Sequence, residues 1–132
     1  MSKKPHRESY KIQLEKVTRL NRSNTFEPTI TDCKKWFRII NQEIFKNRLE
    51  DVKMWNIKRR RGVWAYYYCD SDTSGILMNN KYNSKQDFVN ILSHEMIHHY
   101  QNQFDKPLGH GPSFSYWKPL FSKKGLILTK RY

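Results

Sequence analysis

The stretch Ser84-Lys85-Gln86-Asp87-Phe88-Val89-Asn90-Ile91-Leu92-Ser93-His94-Glu95-Met96-Ile97-His98-His99-Tyr100-Gln101-Asn102-Gln103-Phe104 decides the fold. Phe88, Ile91, Leu92, Met96 and Tyr100 recur at three- and four-residue intervals, the period of a helix with one buried face. Ser84, with Asp87 three positions on, makes a capping-box-like start. Pro107 and Gly109 place the end near Phe104. On this helix His94 and His98 are four residues apart, so they project from one side about a turn apart. Two imidazoles so placed reach one metal ion at roughly 2.0–2.1 Å each. Glu95 stands beside His94, where it can approach a zinc-bound water rather than the metal, accept its proton and pass it to a leaving amine.

A catalytic zinc site has three protein ligands and one open position. The remaining histidines are His6, His99 and His110. His6 lies in the N-terminal leader. His99 points about 100° round the helix from His98. His110, in Gly109-His110-Gly111-Pro112, follows a turn that can fold back over the helix. No Glu occurs after Glu95, and Asp105 is the one acid past His98; it sits about 10 Å further along if the helix continues. Gln101 and Phe104 fill the places where an extended His-Glu-x-x-His-x-x-Gly-x-x-His motif needs Gly and His. His110 is therefore the first candidate for the third ligand and Asp105 the second.

Outward from this helix, Trp36, Phe37, Ile40, Ile44 and Phe45 predict a second amphipathic helix, starting near Thr31 or Asp32 and ending near Glu50 or Asp51. Three strand-like runs lie between the two: Val52 to Ile57, Val63 to Cys69 and Ile76 to Asn79. Pro112 suits the first turn of a later helix, which Pro119 should kink or shorten. Leu126 to Thr129 reads as a fourth strand. Residues 1–28 form a basic N-terminal extension in which Tyr10, Leu14, Val17 and Leu20 predict a short helix, and Asn21 to Pro28 reads as a linker. The domain proper is expected over 29–132.

At 132 residues the chain is long enough for one real core without disulfide staples. Its two cysteines, Cys33 and Cys69, make neither a disulfide framework nor a zinc ribbon. No apolar run approaches a membrane span, and no apolar h-region follows the basic start. An intracellular, cytoplasmic or DNA-associated setting is expected, with no membrane partner. A net charge of +13 favours a polyanionic partner. Lys58, Arg59, Arg60 and Arg61 cluster at a predicted hairpin turn between Trp55 and Trp64, a combination suited to single-stranded nucleic acid. Lys3, Lys4 and Arg7 could add a basic arm.

The His94-Glu95-Met96-Ile97-His98 core, followed by Gly109-His110-Gly111-Pro112-x-Phe114, resembles the SprT/Spartan family of metallopeptidases. A helix with Trp36 and Phe37, then strands, then Gly62 before a strand fits the same order, so the likeness covers roughly 30–130. The five-residue core is shared by many zincins; the Gly-His-Gly-Pro-x-Phe continuation is far more specific. The resemblance implies a minimal zincin-like α+β domain with Zn2+ on His94, His98 and His110 and Glu95 as general base. It implies a protease acting on DNA-associated proteins. The cysteine-rich zinc module that often follows the peptidase core in this family has no counterpart among these residues. A non-enzymatic nucleic-acid-binding or assembly protein of the phage-particle type, with a structural or degenerate zinc site, is the alternative expectation.

Overall fold

A computed structural model describes residues 8–19 and 24–128. Helix α1 (Tyr10–Thr18) starts at Ser9, whose hydroxyl accepts from the Ile12 N–H, and buries Leu14 and Val17 against helix α2 (Ile30–Glu43). Leu20 and the basic residues Lys3, Lys4 and Arg7 lie outside the described residues, as do 129–132. Phe26, in the stretch read as a linker, pairs with Tyr82 in an isolated antiparallel bridge and packs on the Phe88 ring at 5.1 Å.

Helix α2 is capped by Thr29, earlier than Thr31 or Asp32. Asp32 is the third residue of a capping box and bonds back to the Thr29 N–H. The helix stops at Glu43, short of the expected end, because the chain reverses on itself. Buried Asn41 turns inward, and its amide pairs with both backbone groups of Leu49, at 2.9 and 3.1 Å. Lys46 and Asn47 adopt left-handed φ values of 58° and 60° to complete the turn. Ile44 and Phe45 stay buried beyond the helix, so the apolar stripe outlasts the helical backbone.

Strands β1 (Met54–Ile57), β2 (Ala65–Cys69) and β3 (Ser74–Met78) form one sheet in the order β1-β3-β2, with β3 parallel to β1 and antiparallel to β2. The basic segment 58–61 is therefore not a hairpin turn. It crosses the end of the sheet because β3, the most buried strand, takes the centre. The register sets Trp55, Ile76 and Tyr67 in one row and Ile57, Met78 and Ala65 in the next, all on the face toward the helices. Met54, Asn56, Gly75, Leu77, Tyr66 and Tyr68 fall on the outward face by alternation.

Helix α3 (Lys85–Gln103) runs across the inner face, capped by the Ser84 hydroxyl, which accepts from the Asp87 N–H at 3.0 Å. Two short helices follow, α4 (Pro112–Ser115) and α5 (Lys118–Lys123). The break falls at Tyr116–Trp117, and Pro119 sits in the first turn of α5, where its missing N–H leaves no bond unmade. Trp117 and Phe121 close the core over Phe45, with ring centroids 4.4 and 5.7 Å away. The fourth strand expected from Leu126 does not form among the described residues. Leu126 and Leu128 are buried and Ile127 exposed, so the alternation is real. The Ile127 N–H, however, donates to the Asn90 side chain of α3, and the segment lies on the helix rather than on the sheet. No described helix is long and apolar enough to cross a membrane.

Candidate metal centre

The four-residue spacing on α3 and the turn at Gly109 bring three imidazoles to one point. His94 is buried, His98 half-buried and His110 exposed. The Nε2 atoms of His98 and His110 lie 3.2 and 3.1 Å from Nε2 of His94. All three ligand atoms fall within 4.8 Å of one another. Gly109 makes the turn, with a φ of 130° that L side chains rarely adopt. The buried ring of Phe114 supports all three imidazoles, with centroids 4.8, 5.6 and 4.9 Å from His94, His98 and His110. Asp105 is exposed in a left-handed turn after α3 and is not part of the cluster.

Gln101 holds the arrangement from behind. It is fully buried, and its Nε2 donates to the Gly109 carbonyl at 3.0 Å and to Ser113 Oγ at 2.9 Å. With both donors so used, its Oε1 accepts from His98 Nδ1 at 2.9 Å and from the Gly109 N–H. That assigns the proton of His98 to Nδ1 and leaves the Nε2 lone pair aimed at the cluster. Burial holds His98 below the ordinary imidazole value, the Gln101 bond opposes this, and the neighbouring His110 adds to it. The chemistry of the set fits a divalent ion. Ligands at roughly 2.0–2.1 Å in a tetrahedron stand about 3.3 Å apart. Two of the three nitrogen pairs stand close to that spacing, at 3.1–3.2 Å, which a shared cation or a shared proton accounts for.

Glu95 is 5% exposed, next to His94 on the same helix. Loss of solvent raises its carboxyl to about 8, opposed by the backbone N–H of Tyr67, which donates to it. A cation at the imidazoles would draw that value down again by favouring the carboxylate. Tyr67 is itself pinned. Its hydroxyl donates to His99 Nδ1 at 2.9 Å and accepts from Asn102 Nδ2 at 3.1 Å, while His99 Nε2 donates to the Glu50 carbonyl at 2.8 Å. His99 is thus a buried tie between α3, β2 and the α2–β1 loop, and burial holds its ring below the ordinary imidazole value against the opposing pull of the Glu50 carbonyl. Removing the hydroxyl with Tyr67→Phe leaves the His99 and Asn102 groups without a partner. The expected cost is about 1–3 kcal/mol, read as a lower urea midpoint with an unchanged slope.

The arginine segment stands apart from this centre. Lys58, Arg59, Arg60 and Arg61 are all exposed, at the end of the sheet. Tyr100 packs among Phe45, Phe104 and Trp117, and Tyr116 is 63% exposed. Sequence reasoning noted Gln101 as a departure from a longer motif and missed its role. The available signal was its position three residues after His98, on the same side of the helix.

An α+β fold in which one helix carries His-Glu-x-x-His and the next loop returns a third imidazole defines a small zincin-like domain able to hold a metal ion. The chain belongs to the SprT-like family, whose sequence profile matches residues 33–128, from the first half of α2 to the last described residue. No curated protein matches it as an individual relative.

Proposed function

We propose that this protein is a zinc-dependent peptidase acting on proteins associated with nucleic acid. The observation that carries the proposal is the convergence of three Nε2 atoms beside a buried carboxylate on the same helix. A zinc ion held by His94, His98 and His110 supplies a Lewis acid that polarises a carbonyl and lowers the pKa of water to about 7. Glu95 takes the proton of the attacking water and returns it to the departing amine nitrogen. The Tyr67 N–H orients the carboxylate for both transfers. Phe114 closes the floor and keeps bulk water from the rear of the imidazoles.

A peptide substrate is supported by strand β2. It is an edge of the sheet and packs against α3. Trp64 and Asp70 bond toward the β3 side, so Ala65, Tyr67 and Cys69 turn their main-chain groups away from it; with the Tyr67 N–H given to Glu95, the Ala65 and Cys69 groups are the ones that face an added chain. An extended chain can add to such an edge. The net charge of +13 supports substrates carried on DNA or another polyanion. The test is cleavage of an unfolded protein before and after chelation. Activity should vanish in chelator and return with added zinc; cleavage that persists without metal ends the proposal. The charge also favours a second reading, a nucleic-acid-binding or assembly protein with a structural metal. Metal-replete protein that binds DNA but turns over no protein substrate would select it.

A further inference from the structure

We infer that the outward face of the sheet is a stacking platform for single-stranded nucleic acid, with the arginine crossover holding phosphates at one end. This deepens the reading of nucleic acid as a partner. It gives that partner a place and a strandedness.

Two rings lie along the sheet rather than standing up from it. Tyr68 starts on β2 and passes over β3, where a Cβ on Gly75 would come within 2.1 Å of its ring. Its hydroxyl then accepts from Asn56 Nδ2 on β1 at 3.2 Å. A side chain that spans from one strand to the next but one presents a ring face to solvent, and Gly75 is the residue that leaves it room. Tyr66 is 51% exposed and lies near-parallel to Tyr68, with centroids 6.0 Å apart and planes at 22°. Trp64, 37% exposed, is turned onto buried Tyr82 at 5.6 Å and lines a cleft with Asp87 and Asn90 of α3, so it borders the platform rather than forming part of it. The sequence suggested Trp55 as a partner of the arginines. Trp55 faces inward, edge-on to Phe37 at 5.6 Å, so it offers no face to a ligand.

Charge selects the occupant. The outward positions of the three strands carry no carboxylate. Arg59, Arg60 and Arg61 are exposed and, among the described residues, none forms an ion pair. Their backbone is nonetheless held in place, since Asn79 Nδ2 donates to the Arg60 and Val63 carbonyls at 2.9 and 2.8 Å. A cleft of about 480 Å³ opens between this crossover and Trp64, Asn80 and Lys81. Asp70 and Asp72 stand at the opposite end of the β2–β3 pair, so the arginine end is the one favoured for phosphates. A polyanion with free planar faces satisfies both halves of the surface. Duplex bases are already stacked on one another, so a single strand is the form that fits.

The probe is a fluorescein-labelled oligothymidine of about 12 nucleotides, titrated with the full chain and followed by anisotropy. Tyr66→Ala should weaken binding at least about fivefold, and Tyr66→Phe should stay within about twofold. Replacing Arg59, Arg60 and Arg61 with alanine should reduce the slope of log affinity against log salt by about 2, at roughly 0.7 per single-strand phosphate. A duplex of equal length should bind more weakly and ignore Tyr66. Equal binding by Tyr66→Ala, or a duplex bound as tightly as the single strand, overturns the inference. So does a change in self-association on Tyr66→Ala with oligonucleotide binding intact, which assigns the face to a second copy. No metal or cleavage enters this measurement, so its failure and that of the peptidase proposal are read separately.

Discussion

Glu95→Gln protein binds metal as the parent does and cleaves roughly 10²–10⁴-fold more slowly. The substitution keeps the size of the side chain and removes its ability to take a proton. Glu95 is 5% exposed and accepts from the Tyr67 N–H. Glutamine can keep that bond through its carbonyl oxygen, so the strand and helix remain joined. Because the carboxyl is already pushed toward its neutral form by burial, a neutral amide should not destabilise the metal-free fold. Elemental analysis and a cleavage assay on one preparation decide the matter. Undiminished turnover would remove Glu95 from the mechanism, and loss of metal would recast it as a structural support.

His110→Ala has the largest expected effect on metal. His94 and His98 come from a single rigid helix, whereas His110 is exposed and comes from a loop held by Gly109 and Gln101. Without it two imidazoles remain, and affinity should fall by more than about 100-fold, beyond what loss of an outer hydrogen bond costs a zinc site. The parent should gain about 4 kcal/mol at zinc a thousandfold above its dissociation constant. That corresponds to a rise in Tm on the order of 10 °C. The His110→Ala protein should show no such rise at the same zinc concentration, and its metal content after dialysis should be near zero. A full equivalent of metal in the variant would show that the third ligand lies elsewhere.

Much of this was legible in the sequence because one helix wrote it twice. The apolar period of α3 and its four-residue histidine spacing each fix the same face relations, and the Ser84 cap sets the start. The return of His110 was readable from Gly109 and Pro112, residues whose backbone demands are local. The sheet order was less legible, since the strand that takes the centre depends on burial of β3 against both neighbours. That is why the arginine segment looked like a hairpin. Leu126–Leu128 misled for a related reason: alternation reports one buried side and says nothing about what covers it. The Gln101 and His99 networks rest on contacts between distant segments, Gln101 with the Gly109 loop and His99 with Tyr67 and Glu50. The spacing of Gln101 from His98 is a local trace of the first, whereas nothing local points from His99 to Tyr67 or Glu50.

Helix α3 is buried along most of its length, with core residues on one side and the metal-facing group on the other. Natural variation therefore has little room there: almost any exchange along it disturbs packing, chemistry or both. Diversification toward new targets is channelled to the largely exposed segments beside the site, namely the rim at 105–108 and the crossover at 58–64. Lineages that drift in preference should keep the helix nearly frozen while these two margins change quickly.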